Sequence, residues 1–223
     1  MVWVLKEDAG LNFKKWLYLF FTTLLVGGVS SVLIGIVMEQ GSLWGLGWKN
    51  ILMGLAWNFG LGLLFSVVAQ MGFFAYLTIH NVGIGVFRSI WPYVQILIIA
   101  YAFFDMVYYR YTTFGVEGES FIGYLWIPLG ILLYAFAVAY FKVKETNMSA
   151  AIPTVFVIFV VTIIEWIPAL QQNNLTGMFY MLIPLLLCNT WQIMLLHRLT
   201  KNSPAVQAAI PTPVSTKKKT KSK

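Results

Sequence analysis

Cysteine is nearly absent from this chain of 223 residues. The single Cys188, set in an apolar run, excludes an intrachain disulfide and any CxxC redox or metal pair. Histidine is almost as scarce. His80 and His197 stand at the ends of apolar stretches with no carboxylate or second histidine at ligand spacing, so no metal centre is expected. The motifs HExxH, GxSxG and GxGxxG are missing, and Gly83-Ile84-Gly85 by itself is too short to mark a nucleotide-binding turn. No catalytic residues and no cofactor are expected. Charge is the largest deficit, at 10% of residues against about a quarter in a soluble domain. What takes its place is apolar, 59% of the chain, more than one water-soluble core of this size can hide. Lipid has to solvate much of it, and the expected class is an all-α integral membrane protein.

Six apolar stretches reach the length of about 20 residues that a membrane-spanning helix needs. They run over approximately residues 16–37, 51–79, 90–109, 121–141, 150–170 and 177–196. The second is long for a perpendicular crossing; either tilt absorbs the excess or its last turn leaves the bilayer near His80. A six-helix bundle over residues 1–200 leaves short loops and no room for a separate catalytic domain. The first span reads as an uncleaved anchor, because its apolar run exceeds a signal-peptide core, although Gly27, Gly28, Ser30 and Ser31 are residues a peptidase tolerates. Residues 201–223 are different: Pro204, Pro211 and Pro213 among Ser, Thr and Lys make a tail with too little apolar surface to fold. Its end, Thr216–Lys223, reads as a polybasic segment that attracts an anionic leaflet or simply enforces topology. Nucleic acid is not an expected partner, since no aromatic or helical framework accompanies the charge.

Basic residues set the direction, because cytoplasmic loops keep the excess of Lys and Arg. With both termini in the cytoplasm, thirteen of the 15 basic residues lie inside, among them Lys14, Lys15, Arg88, Lys142, Lys144 and Arg198. Only Lys49 and Arg110 lie outside. Aromatic residues agree: Trp16, Trp91, Tyr140 and Trp191 fall near inner ends, and Trp48, Tyr108, Tyr109, Trp126 and Trp166 near outer ends. The segment Glu39–Asn50, with Trp44 and Trp48 among glycines, is expected to lie on the outer surface.

Ionisable residues inside a bilayer cost a few kcal/mol each and are the first functional candidates. Two fall in the spans, Asp105 and Glu165, both about 7 Å below the outer boundary at 1.5 Å per residue. Asn58 enters from the outer end to a similar depth, and Pro128 and Pro184 are expected to kink the helices beside them. Asn58, Asp105 and Glu165 thus form a candidate outer-leaflet polar layer, with Arg110 placed to neutralise one carboxylate. The competing reading is structural: side chains this shallow snorkel, or bond to Tyr109 and Trp166. Gln70, Gln95, Asn189 and Gln192 make a second polar set nearer the cytoplasm, where amides knit helices together. Gly27, Ser31 and Gly35 recur every four residues and give the first span a small face, for the second span or for a partner helix. Glu117 and Glu119 supply too few oxygens for a cation site.

Several ungapped stretches resemble the KinB-signalling pathway activation protein family (KbaA) of endospore-forming bacteria. They are Phe65–His80 with Gly83–Ser89, Phe104-Asp105 with Tyr109-Arg110-Tyr111, Gly115 with Gly118-Glu119-Ser120, Tyr140–Lys142 with Lys144–Asn147, and Ile164–Leu170. The resemblance runs from the first span through the sixth and stops before the basic tail. It implies a small multi-pass regulator of the bacterial plasma membrane, needed for the sensor histidine kinase KinB to drive the sporulation phosphorelay. No catalytic residues come with it. The function expected is therefore non-enzymatic: a membrane regulator whose partners are lipids and a sensor histidine kinase. One route of contact is the Gly27/Ser31/Gly35 face, with cytoplasmic contacts around Arg88 and Lys142–Lys144. The alternative is a transporter or ligand receptor that admits a small polar molecule to the Asn58/Asp105/Glu165 layer. Halves split after the third span have inverted orientation, but no visible similarity supports the repeat a transporter would show.

Overall fold

A computed structural model describes residues 13–38, 47–115, 120–172 and 174–201. Among them the fold is all-helical. The helices are α1 (Phe13–Met38), α2 (Trp48–Phe87), α3 (Trp91–Phe114), α4 (Trp126–Glu145), α5 (Ala151–Phe156), α6 (Thr162–Leu170) and α7 (Leu175–Lys201). A π-helical turn, Val157–Val161, joins α5 to α6 in one continuous span. The segment holding Trp44, the pair Glu117 and Glu119, and the basic tail lie outside the described residues.

Among the described residues, five helical stretches are long and apolar enough to cross a membrane: Lys14–Met38, Trp48–Phe114, Phe121–Glu145, Met148–Leu170 and Leu175–Leu199. The second covers 67 residues and folds back on itself. Gln95 Nε2 donates to Tyr76 Oη at 3.4 Å, although the two are 19 positions apart, about 28 Å along a straight helix. Trp91 Nε1 likewise donates to His80 Nδ1 at 3.0 Å. The reversal is at Arg88, the one described non-glycine residue with positive φ (48°). Pro92 then sits in the first turn of α3, where a missing N–H costs nothing. In the long second stretch, α2 continues past His80 to Phe87 before turning.

Side-chain size sets how closely these helices approach. A Cβ on Gly27 would lie 2.6 Å from the Gly62 carbonyl oxygen and 2.6 Å from Ser66 Cβ, so α1 and α2 meet backbone to backbone. The stretch Met148–Leu170 is the centre of the fold. Its most apolar window is 67% buried, against 17–39% for the others. Phe156, Val157, Ile158, Phe159, Val160 and Trp166 make the heart of the apolar core with Phe73, Ala135 and Leu185. The other helices turn large apolar side chains outward, Trp57 and Leu97 each 70% exposed. Pro128 falls in the first turn of α4 and breaks no helix, whereas Pro168 and Pro184 lie inside α6 and α7.

Candidate functional site

The buried polar centre is built on α6 and α7. Thr162 and Glu165 are three residues apart and share one face of α6. Facing them, Asn189 Nδ2 donates to Glu165 Oε2 at 2.8 Å and to Thr162 Oγ1 at 2.9 Å. Thr162 and Asn189 are fully buried and Glu165 is 7% exposed. The other carboxylate oxygen, Glu165 Oε1, lies against Gly72 of α2, where any Cβ would collide with it. Among the described residues it has no hydrogen-bond partner, and neither has Asn189 Oδ1. Thr162 was not singled out from the sequence; its three-residue spacing from Glu165 is the signal that would have found it.

A second property of α7 is that its polar groups, side-chain and backbone, bond to α1, α4 and α6. Tyr180 Oη accepts from Ser31 Oγ at 3.1 Å, and Trp191 Nε1 donates to Thr22 Oγ1 at 3.1 Å, both across to α1. Thr190 bonds Tyr134 of α4 at 3.0 Å, and the Ile193 carbonyl accepts from buried Lys142 Nζ at 2.6 Å. Met178 O accepts from Trp166 Nε1 at 2.8 Å. At the far end, Arg198 Nη2 and Glu145 Oε1 form an exposed ion pair at 2.6 Å.

The expected outer layer is not assembled. Glu165 is buried at the α2/α6/α7 junction, while Asp105 lies on the exposed face of α3 with Tyr101, Phe104 and Tyr108. The roughly opposite face of α3 carries the buried Met106, Val107 and Arg110 instead. Arg110 neutralises neither carboxylate; its Nη1 donates to Met178 Sδ at 3.5 Å. Asn58 is buried at the α1/α2 seam, its amide nitrogen pressed on Gly35. The small face of Gly27, Ser31 and Gly35 is therefore occupied within the chain, by Gly62, Ser66 and Asn58 of α2 and by Tyr180 of α7. Lys142, expected as a cytoplasmic contact, is engaged as well, whereas Arg88 and Lys144 are exposed.

All four amides of the second set are buried, and they divide by role. Gln95 ties α3 to α2 and Asn189 ties α7 to α6. Gln70 and Gln192 donate within their own helices, to Ser66 Oγ and to the Cys188 carbonyl. His80 is not merely a wet interfacial residue: its Nδ1 is the acceptor for Trp91 and stands 3.2 Å from Tyr76 Oη. Two apolar grooves mark the surface. One of about 610 Å³ runs between α1 and α7 past Leu25, Leu33 and Trp191, and one of about 460 Å³ lies among α3, α4 and α5. Neither is lined by Asn58, Asp105 or Glu165.

Residues 14–199 match the profile of the family described as KinB-signalling pathway activation in sporulation. The chain belongs to the KbaA family. It is similar to the KinB-signaling pathway activation protein of Bacillus subtilis (strain 168), 36% identical over 185 residues that cover 80% of this chain and 93% of that relative. No solved structure matches it. The KbaA match takes in Thr162, Glu165 and Asn189 and every polar link of α7 described above, so the buried centre lies inside the family region and not in an appended segment.

Proposed function

We propose that this protein is a non-enzymatic regulator of the plasma membrane that activates a KinB-type sensor histidine kinase in the same bilayer. The observation that carries the reading is the extent of the family match, which takes in every long apolar helix and stops before the basic tail. The relative's name, a KinB-signaling pathway activation protein, supplies the pathway. Six crossings follow if the fold-back at Arg88 divides Trp48–Phe114 into two. Both termini then lie on the cytoplasmic side, which agrees with the basic asymmetry.

A regulator moves its partner only by binding one signalling state more tightly than the other; going from 1:99 to 99:1 takes about 5.5 kcal/mol of difference. The small face of α1 and Lys142 are spent inside the chain, so the contact falls to outward side chains. Leu25 and Leu33, exposed beside the α1/α7 groove, and Arg88 and Lys144 at the cytoplasmic ends are the candidates. The test pairs gene deletion with photo-crosslinking from Leu33. Deletion is expected to lower kinase-dependent phosphorelay output, with suppression when the kinase is made independent of its membrane region. A crosslink to the kinase is expected at Leu33 or Leu25. Normal output in the deletion strain overturns the regulator, and intact activation with no crosslink from either position overturns direct contact.

A further inference from the structure

Glu165 needs a positive charge that no described residue supplies. Its Oε2 is held by Asn189, but Oε1 faces the bare backbone of α2 at Gly72 and has no donor among the described residues. The two buried bases are engaged elsewhere, Arg110 with the Met178 sulfur and Lys142 with the Ile193 carbonyl. The described salt bridge, Arg198–Glu145, is at the exposed end of α7. Among titratable groups on the helices packed here, Cys188 of α7 donates to the Thr23 carbonyl, and Tyr76 of α2 is bonded to His80 and Gln95. Asp105 of α3 is exposed on the outward face. A bare carboxylate in such a place is strongly unfavourable unless something neutralises it.

We propose that Glu165, with Thr162 and Asn189, forms a binding site for a small monovalent cation, a proton or a sodium ion. The surroundings select for size. Glu165 is 7% exposed, its neighbours Thr162 and Asn189 are fully buried, and neither surface groove reaches them, so an organic cation does not fit. They also select for charge: the unpartnered atoms at the site, Glu165 Oε1 and Asn189 Oδ1, are both acceptors, and Thr162 adds a hydroxyl oxygen. Hard oxygen ligands of this kind take a proton or an alkali ion rather than a soft metal. The absence of a side chain at Gly72 lets Oε1 reach the α2 backbone, where a Cβ would collide with it, and the π-helical turn ends immediately before Thr162, a local widening frequent at functional sites. Loading the site would set how α6 packs against α2 and α7. The site stands whether or not a kinase is the partner.

The experiment uses the full chain in detergent and follows its thermal midpoint from pH 6 to 9, in NaCl or in choline chloride of equal ionic strength. If sodium is the ligand, the midpoint rises with NaCl and not with choline, by about 4 °C per tenfold increase near saturation. If a proton is the ligand, the midpoint falls as pH rises, because deprotonation leaves the carboxylate uncompensated, and sodium adds nothing. In either case Glu165→Gln removes the dependence. Wild type and Glu165→Gln tracking each other across pH and sodium would overturn the site. Should that variant fail to fold, Thr162→Val replaces it; a roughly tenfold shift in the sodium or proton concentration at half effect is expected, and an unchanged profile overturns the proposal.

Discussion

Asn189 gives its amide hydrogens to two oxygens of α6, one on Glu165 and one on Thr162. Leucine has the same branching and heavy-atom count, though more bulk, and neither donor. Asn189→Leu therefore leaves a buried carboxylate with no partner on either oxygen, and the expected loss is about 3 kcal/mol, since bonds to charged groups carry about 1.5–3 each. In a chain of this size that is a fall of about 10 °C in the thermal midpoint measured in detergent; a fall under 2 °C would mean Glu165 does not depend on this bond. Both residues were legible in the sequence as polar side chains in apolar spans, but not as a pair. Counted by Cα position, each lies in the C-terminal half of its own stretch, and the two stretches run in opposite directions. A helical side chain leans toward its own N-terminus, and α6 and α7 run antiparallel. Glu165 therefore leans down as Asn189 leans up, and the two meet between. Asp105 was misplaced for a related reason: depth says nothing about azimuth, and α3 turns its Asp105 face outward while burying Arg110.

At the scale of elements, the existence of each long helix follows from hydropathy, and the structure keeps all six stretches helical. Their ends are where local chemistry prevails. Gly83 and Gly85 lie past the expected end of the second span at residue 79, yet α2 runs through both to Phe87. Gly83 is there for packing, since a Cβ would collide with the Trp91 ring that bonds His80. The break falls instead on Arg88, at φ 48° and ψ −119°, a conformation that an L side chain opposes and glycine accepts. Arg88→Gly is expected to relieve about 1 kcal/mol of strain and raise the midpoint by about 2–4 °C. An unchanged or lower midpoint would place the value of Arg88 in its charge rather than in the turn. The π-helical turn is the opposite case. Val157–Val161 is a uniform apolar run with no glycine, proline or polar residue to announce it.

For the whole molecule, polar side chains concentrate on one hub, α7, while the outward surface is apolar. That inversion is what a lipid solvent asks for, because helices there are joined by close packing and hydrogen bonds rather than by a drive to exclude water. It also makes orientation a physical question with one testable answer. Cys188 is fully buried with its thiol on the Thr23 carbonyl, so the native chain is expected to be silent to a membrane-impermeant thiol reagent. Lys49 is exposed at the start of α2, and Ser222 is in the basic tail. With both termini cytoplasmic, Lys49→Cys is labelled in intact protoplasts, whereas Ser222→Cys is labelled only after permeabilisation. Labelling of both positions from outside would mean five crossings, with Trp48–Phe114 passing through the membrane once rather than turning back at Arg88. The reverse pattern would invert the molecule, and Arg88, Lys144 and Arg198 would then face away from any cytoplasmic kinase domain.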